Sequence, residues 1–333
     1  MKRTNHAFLW MTLLCLILAG CAARSADPPA ESSSPAPVVE EGTSGPADFE
    51  SSAIVEDVSI DSGRGYAIPS TITLPASGQD WPLVVLCHGF TGNRNGDGHF
   101  PRVARELADR GIACVAPDFA GNGESALPFT DYTLSGMYDD LESVIAYMRA
   151  AYPVSSETLG LVGHSMGGRV ATLHLDERVT AVALWSPANN TGSDGFEFLS
   201  HTAEGREELL QRARTEGQVE VPSWGVTVSK TFLVEMDESD PCARLEAYDG
   251  PVLLAFAAGD SEVLSDDTVA RVTRTLRSRD RSFVDMTGDF PDATHNYTAL
   301  PDSGSSDTEV CRRIESATVG FLADALLTDA DSH

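Results

Sequence analysis

One serine sits where its chemistry can be read from its neighbours. Ser165 lies in Gly163-His164-Ser165-Met166-Gly167-Gly168. Before it runs Thr158-Leu159-Gly160-Leu161-Val162, short and apolar as a buried strand should be. After it, residues 169–175 read as a helix. Strand, Gly-x-Ser-x-Gly, helix is the pattern of a nucleophile elbow, a sharp turn that lifts a serine hydroxyl above a sheet edge. Residues two positions either side must be small, or their side chains would meet the turning backbone. The free N–H groups of the following helix then face the serine and favour negative charge there.

An alcohol is a poor nucleophile at neutral pH, so a base must take its proton. That base is expected late in the chain, after the last strand, where Asp292-Ala293-Thr294-His295-Asn296-Tyr297 supplies His295. His6 and His333 lie at the ends, His88 and His164 belong to glycine loops, and His99, His174 and His201 fall outside the expected loop. An imidazolium needs a carboxylate to orient it. Asp260, at the end of the apolar run 252–257, is the favoured acid. Glu262, Asp266 and Asp267 are near enough to compete, though Asp266 reads better as a helix cap. Finally, Cys87-His88-Gly89-Phe90-Thr91-Gly92-Asn93 directly follows another apolar run. Its glycines let the backbone turn and expose N–H groups. The Phe90 and Met166 amides are the expected oxyanion hole, each such donor being worth about 100- to 1000-fold in rate.

These pieces meet only if the intervening elements form one sheet. Residues 53–60 and 66–74 read as a hairpin around Asp61-Ser62-Gly63-Arg64-Gly65. Strands are then expected at 82–87, 112–117, 158–162, 179–185, 251–257 and 282–286, and helices at 101–110, 135–151, 169–175, 266–279 and 307–327. The alternation predicts an α/β architecture, a mostly parallel sheet with helices on both faces. Ligands bind beyond the C-terminal strand ends of such sheets. Residues 188–240 break the rhythm, with charge at 204–216 and aromatics at Phe196, Phe198, Trp224 and Phe232. Structureless loops of that length are rare, so this stretch is expected to be a cap inserted over the site.

The 333 residues are 42% hydrophobic, enough for a sizeable core, and carry a formal charge of -27. That charge argues against nucleic acid and anionic membrane surfaces as partners. Lysine is confined to Lys2 and Lys230. The N-terminus reads as a targeting segment: Lys2 and Arg3, an apolar run at 7–19 too short for a confident span, then Leu18-Ala19-Gly20-Cys21. The tetrapeptide resembles the lipobox of bacterial lipoproteins. It implies a signal peptide at 1–20, cleavage before Cys21, lipidation of that cysteine, export, and anchoring at the cell or outer membrane. Residues 21–50 are rich in Ser, Pro, Ala and Glu and read as a disordered tether. The folded domain is then 51–187 with 241–328, and the cap 188–240. Cys87 and Cys114 lie in apolar runs and read as buried thiols. Cys242 and Cys311 lie in polar contexts, and export permits a disulfide between them, worth about 4 kcal/mol.

Taken together, His88-Gly89-Phe90-Thr91-Gly92, the Ser165 elbow, Asp260 and His295 resemble the α/β-hydrolase superfamily over roughly residues 53–327. The His-Gly-Phe-Thr-Gly-Asn loop is most similar to feruloyl and cinnamoyl esterases, and to the serine aminopeptidase and monoacylglycerol lipase group. The resemblance implies the α/β-hydrolase fold and hydrolysis of a small carboxylic ester through an acyl-enzyme on Ser165. A peptidase, an acylglycerol lipase or a binding protein that kept the fold are the other readings. No His/Cys cluster has metal-ligand spacing, so neither metal nor cofactor is implied.

Overall fold

The computed structural model describes residues 51–278 and 282–327. The targeting segment, Cys21 and the tether lie outside the described residues. In chain order the elements are β1 (Ile54–Asp61), β2 (Ala67–Leu74), β3 (Trp81–Cys87), α1 (His99–Ala108), β4 (Ala113–Pro117), α2 (Leu134–Ala151) and β5 (Val154–His164). They continue with α3 (Met166–Leu173), β6 (Ala181–Trp185), α4 (Ala203–Glu216), β7 (Gln218–Val221), β8 (Val226–Ser229), α5 (Lys230–Glu238) and α6 (Pro241–Ala247). Last come β9 (Val252–Ala257), α7 (Asp266–Arg277), β10 (Phe283–Phe290) and α8 (Asp307–Leu327).

The main sheet runs β1-β2-β4-β3-β5-β6-β9-β10. β1 and β2 pair antiparallel, as do β2 and β4; every pairing from β4 through β3 to β10 is parallel. This is the α/β-hydrolase fold. Why the middle strands read as unbroken apolar runs is visible in β3. Leu83, Val85 and Cys87 enter one core cluster, and Val84 and Leu86 enter the other. Side chains alternate across a strand, so a strand covered on both faces has no solvent side on which polar residues are tolerated. α1 and α8 cover one face; α2, α3, α6 and α7 contribute to the core on the other.

β5 is longer than expected, beginning at Val154 rather than Thr158. Its first half is mostly polar, yet Val154 still pairs with Trp81 across a register shift. Residues 188–240 leave the sheet and fold as a 3-10 turn (Gly192–Phe196), α4, the β7–β8 hairpin and α5. Thr202 caps α4 by accepting from the Gly205 amide, and Gly217, at φ +84°, ends it. Arg169 on α3 anchors this excursion. It is fully buried, forms no ion pair among the described residues, and donates to the carbonyls of Ala188 and Asn190 (both 2.7 Å) and Met236 (3.0 Å), and to Ser239 Oγ (2.7 Å). Burial lowers its pKa to about 10.

The expected disulfide does not form: Cys242 and Cys311 are both free. Cys242, on α6, packs in the core on one face of the sheet and points its thiol at the Asn189 carbonyl (3.3 Å). Cys311, on α8, belongs to a helix packed on the other face and points at the Tyr297 carbonyl (3.5 Å). The intervening sheet keeps the two sulfurs apart, and disulfide geometry needs their Cα atoms within about 7 Å.

Candidate active site

β5 ends at His164, and the chain turns into α3 at Ser165, whose φ of 54° and ψ of −116° lie in a region rarely adopted by residues other than glycine. The turn is possible because its neighbours lack side chains. A Cβ on Gly167 would stand 2.0 Å from the Cys87 carbonyl oxygen, and one on Gly163 2.5 Å from that of Gly167. The β3 loop also presses against the elbow, since a Cβ on Gly89 would lie 3.2 Å from Ser165 Cβ.

Asp260 occupies the 3-10 turn Ala258–Glu262 directly after β9 and is 1% exposed. Its Oδ1 accepts from His295 Nδ1 at 2.6 Å. Its Oδ2 accepts from the Ser186 hydroxyl and the Ala257 amide, both at 2.7 Å. Three donors on one buried carboxylate hold it rigid. The competing acids are exposed. Ser265, rather than Asp266, caps α7, accepting from the Thr268 amide at 3.3 Å; Asp266 and Asp267 lie in the first turn, where the helix dipole still favours them.

His295 lies in the loop after β10, its side chain 15% exposed. With Nδ1 committed to Asp260, Nε2 is left toward the cavity it shares with Ser165. No hydrogen bond joins Ser165 Oγ to His295 among the described residues. In resting sites that contact is often long and closes around substrate. The Phe90 and Met166 amides also find no acceptor among the described residues, so both N–H groups remain available as donors.

Two buried histidines shape the surrounding loops. His88 Nε2 accepts from the Phe119 amide at 3.1 Å, so its Nδ1–H donates to the Gly89 carbonyl at 2.8 Å. Burial lowers its pKa and keeps it neutral. Burial, with the neighbouring His295 adding to it, lowers His164 to about 3. The neutral ring donates through Nε2 to the carbonyl of His295 at 2.9 Å. Sequence reasoning missed Ser186 and Tyr297. The Tyr297 hydroxyl lies 3.0 Å from Ser186 Oγ, so a buried chain runs from Tyr297 through Ser186 to Asp260. Their places, one residue after β6 and two after His295, were the only available signal.

The cavity containing Ser165 and His295 measures about 170 Å³. Phe198 and Trp224 from the 188–240 excursion line it, with Phe90, Val263 and Leu264. Phe90 stands edge-on to Phe129 (5.0 Å), Phe198 (5.0 Å) and Trp224 (5.3 Å). A larger space of about 480 Å³, lined by Arg94, Asp118 and Glu124, holds none of Ser165, Asp260 and His295.

A doubly wound sheet with a serine on a strained strand-to-helix turn, sharing a cavity with an Asp260-paired His295, places the chain in a hydrolase class. Residues 84–313 match the alpha/beta hydrolase family, and the chain belongs to that family. An uncharacterized 31.7 kDa protein from the traX-finO intergenic region of Escherichia coli is 32% identical over 226 residues, covering 58% of this chain and 78% of that protein. Among solved structures, Est1E of Butyrivibrio proteoclasticus with bound ferulic acid superposes with a TM-score of 0.60 at 19% identity, over 81% of this chain and all of that one. The esterase domain of a Rhodothermus marinus protein gives 0.55 at 19% identity, over 82% and 99%.

Proposed function

We propose that this protein is a serine carboxylesterase in which Ser165, His295 and Asp260 form the catalytic triad. The observation that carries this reading is that Ser165, the Asp260-paired His295 and Phe90, whose amide has no acceptor among the described residues, line one cavity. Ser165 Oγ attacks the ester carbonyl carbon while His295 Nε2 takes its proton. Asp260 stabilises the imidazolium, and the Phe90 and Met166 N–H groups hold the oxyanion. Collapse expels the alcohol, which takes the proton from His295. A water activated by the same imidazole then releases the acid and restores Ser165.

Cavity size favours a short acyl group. An apolar cavity of about 150 Å³ takes a molecule the size of benzene. The present one, stopped by Phe198 and Trp224, therefore suits an acyl group of roughly this bulk rather than the long chain of an acylglycerol. Across p-nitrophenyl esters from acetate to laurate, kcat/KM is expected to peak at acetate or butyrate and to fall at least tenfold by laurate. Trp224→Ala should move the optimum to longer chains. A laurate optimum in the wild type would favour a lipase, and preferential turnover of leucine p-nitroanilide would favour a peptidase. Methyl ferulate belongs in the same panel because ferulic acid is bound to Est1E.

The lipobox reading adds an envelope location, with Cys21 as the lipid-bearing residue. Cys21→Ser is expected to move the full chain from the membrane to the soluble fraction; continued membrane association would overturn it.

A further inference from the structure

We infer that His99 is a positioning residue: with Glu315 it forms a second histidine–carboxylate pair that holds the backbone carrying His295. His99 opens α1 and is 2% exposed; Glu315 lies on α8 and is 1% exposed. His99 Nδ1 lies 2.6 Å from Glu315 Oε1, and Nε2 lies 2.9 Å from the carbonyl oxygen of Asn296, the residue after His295. A carbonyl only accepts, so Nε2 carries a proton. Burial would raise the Glu315 carboxyl, but hydrogen bonds from His99 and Arg102 outweigh it and hold it below the usual glutamate value. Arg102 Nε donates to both oxygens of the same carboxylate at 2.9 Å.

The target of this pair sets it apart from an ordinary buried ion pair. His164 already donates to the His295 carbonyl, so two buried imidazoles grip two consecutive carbonyls, 295 and 296. Residue 297 is held in turn, with φ +55° and its hydroxyl on the Ser186–Asp260 chain. Three successive residues of an irregular loop are thus fixed at the point where an imidazole must face a serine. Burying an imidazole and a carboxylate is costly, and an apolar filling is often as stable or more so. Here the pair is directed at the peptide unit adjoining His295. The Cys311 thiol brings a third potential metal ligand within 4.8 Å of His99 and Glu315. Both imidazole nitrogens are already engaged in hydrogen bonds, however, and the Arg102 cation occupies the carboxylate, so the cluster is organised around hydrogen bonds.

This inference rests on the esterase reading, and the test separates the two. His99→Phe keeps an aromatic ring beside Trp185, whose centroid lies 5.6 Å from that of His99, but removes both hydrogen-bonding nitrogens. Its kcat on p-nitrophenyl butyrate is expected to fall about 10- to 100-fold, the effect of a small misplacement of a reacting group, with KM within twofold of wild type. His99→Gln, whose Nε2–H can reach the Asn296 carbonyl, should recover most of the loss. An unchanged kcat in His99→Phe, or no recovery in His99→Gln, overturns the inference. Should His99→Phe fail to fold, Glu315→Gln decides: a kcat loss of at least about threefold supports the inference, and wild-type kcat overturns it. A second readout needs no turnover. The downfield proton resonance of His295 Nδ1–H on Asp260 should be sharp in wild type and His99→Gln and broadened or lost in His99→Phe; its persistence there overturns the inference. Wild type without Ser165-dependent turnover sinks the esterase reading alone, since the resonance still tests the positioning.

Discussion

Ser165→Ala should lose ester hydrolysis by about 10⁵-fold or more while its unfolding midpoint barely moves. Removing the nucleophile of a triad costs nearly as much as removing the whole triad, because the other members have nothing to activate. What remains is the oxyanion hole and binding. Stability should change by less than about 0.5 kcal/mol, since the Ser165 hydroxyl has no partner among the described residues whose loss would leave a buried polar group orphaned. Alanine meets the same backbone strain at φ 54° as serine does, so the elbow itself is not relieved. The check is paired: kcat on p-nitrophenyl butyrate with thermal unfolding, and intact mass after fluorophosphonate treatment. Wild type should gain one phosphonyl group and Ser165→Ala none. Turnover retained by the variant would remove Ser165 from the mechanism, and an unlabelled, inactive wild type would favour a binding protein on a hydrolase fold.

Asp260→Asn should cost about 10⁴-fold in kcat, for a reason peculiar to the hydrogen bonds around it. The carboxylate accepts from three donors: His295 Nδ1–H, the Ser186 hydroxyl and the Ala257 amide. An amide has one accepting oxygen. The Ala257 N–H cannot turn away, so the oxygen is drawn to that side and the NH₂ group faces His295. The imidazole must then present a lone pair at Nδ1 and carry its proton at Nε2, where it cannot take one from Ser165. The opposite rotamer sets NH₂ against the Ala257 N–H and leaves a buried donor unmet, at about 1–3 kcal/mol. The variant is therefore expected to lose both rate and stability, unlike Ser165→Ala. Activity within tenfold of wild type would mean that another acid orients His295, and the exposed Glu262 would be the first to examine.

What could be read along the chain depended on whether the signal was local. The elbow is local: its glycines must clear Cys87 and their own turn, and so announce themselves within six residues. The apolar runs of β3, β6 and β9 are local too, because strands covered on both faces exclude polar residues along their length. The start of β5 was hidden, because its polar residues 155–157 carry no apolar strand pattern until Trp81 is beside Val154. Cys242 and Cys311 looked alike in polar contexts, and only the sheet between them rules out their union. Inside residues 188–240, the aromatic residues were visible, but nothing in their spacing shows that Phe198 and Trp224 close on Phe90.

Unaided, the residue order pointed to the side chains proposed to carry the chemistry and to the alternation that brings strand ends together: Ser165, then Asp260, then His295, each in turn beyond a strand. Tertiary structure alone decided how these groups are held. The Ser186 and His295 donors on Asp260, the paired imidazoles behind residues 295 and 296, and the aromatic wall of the cavity join residues from 26 to more than 200 positions apart, as His99 and Glu315 are. The physical reason is that a nucleophile needs a particular local backbone, which leaves its mark on adjacent residues. Orientation is set instead by buried hydrogen bonds between elements, and these leave no pattern until the sheet has closed around them.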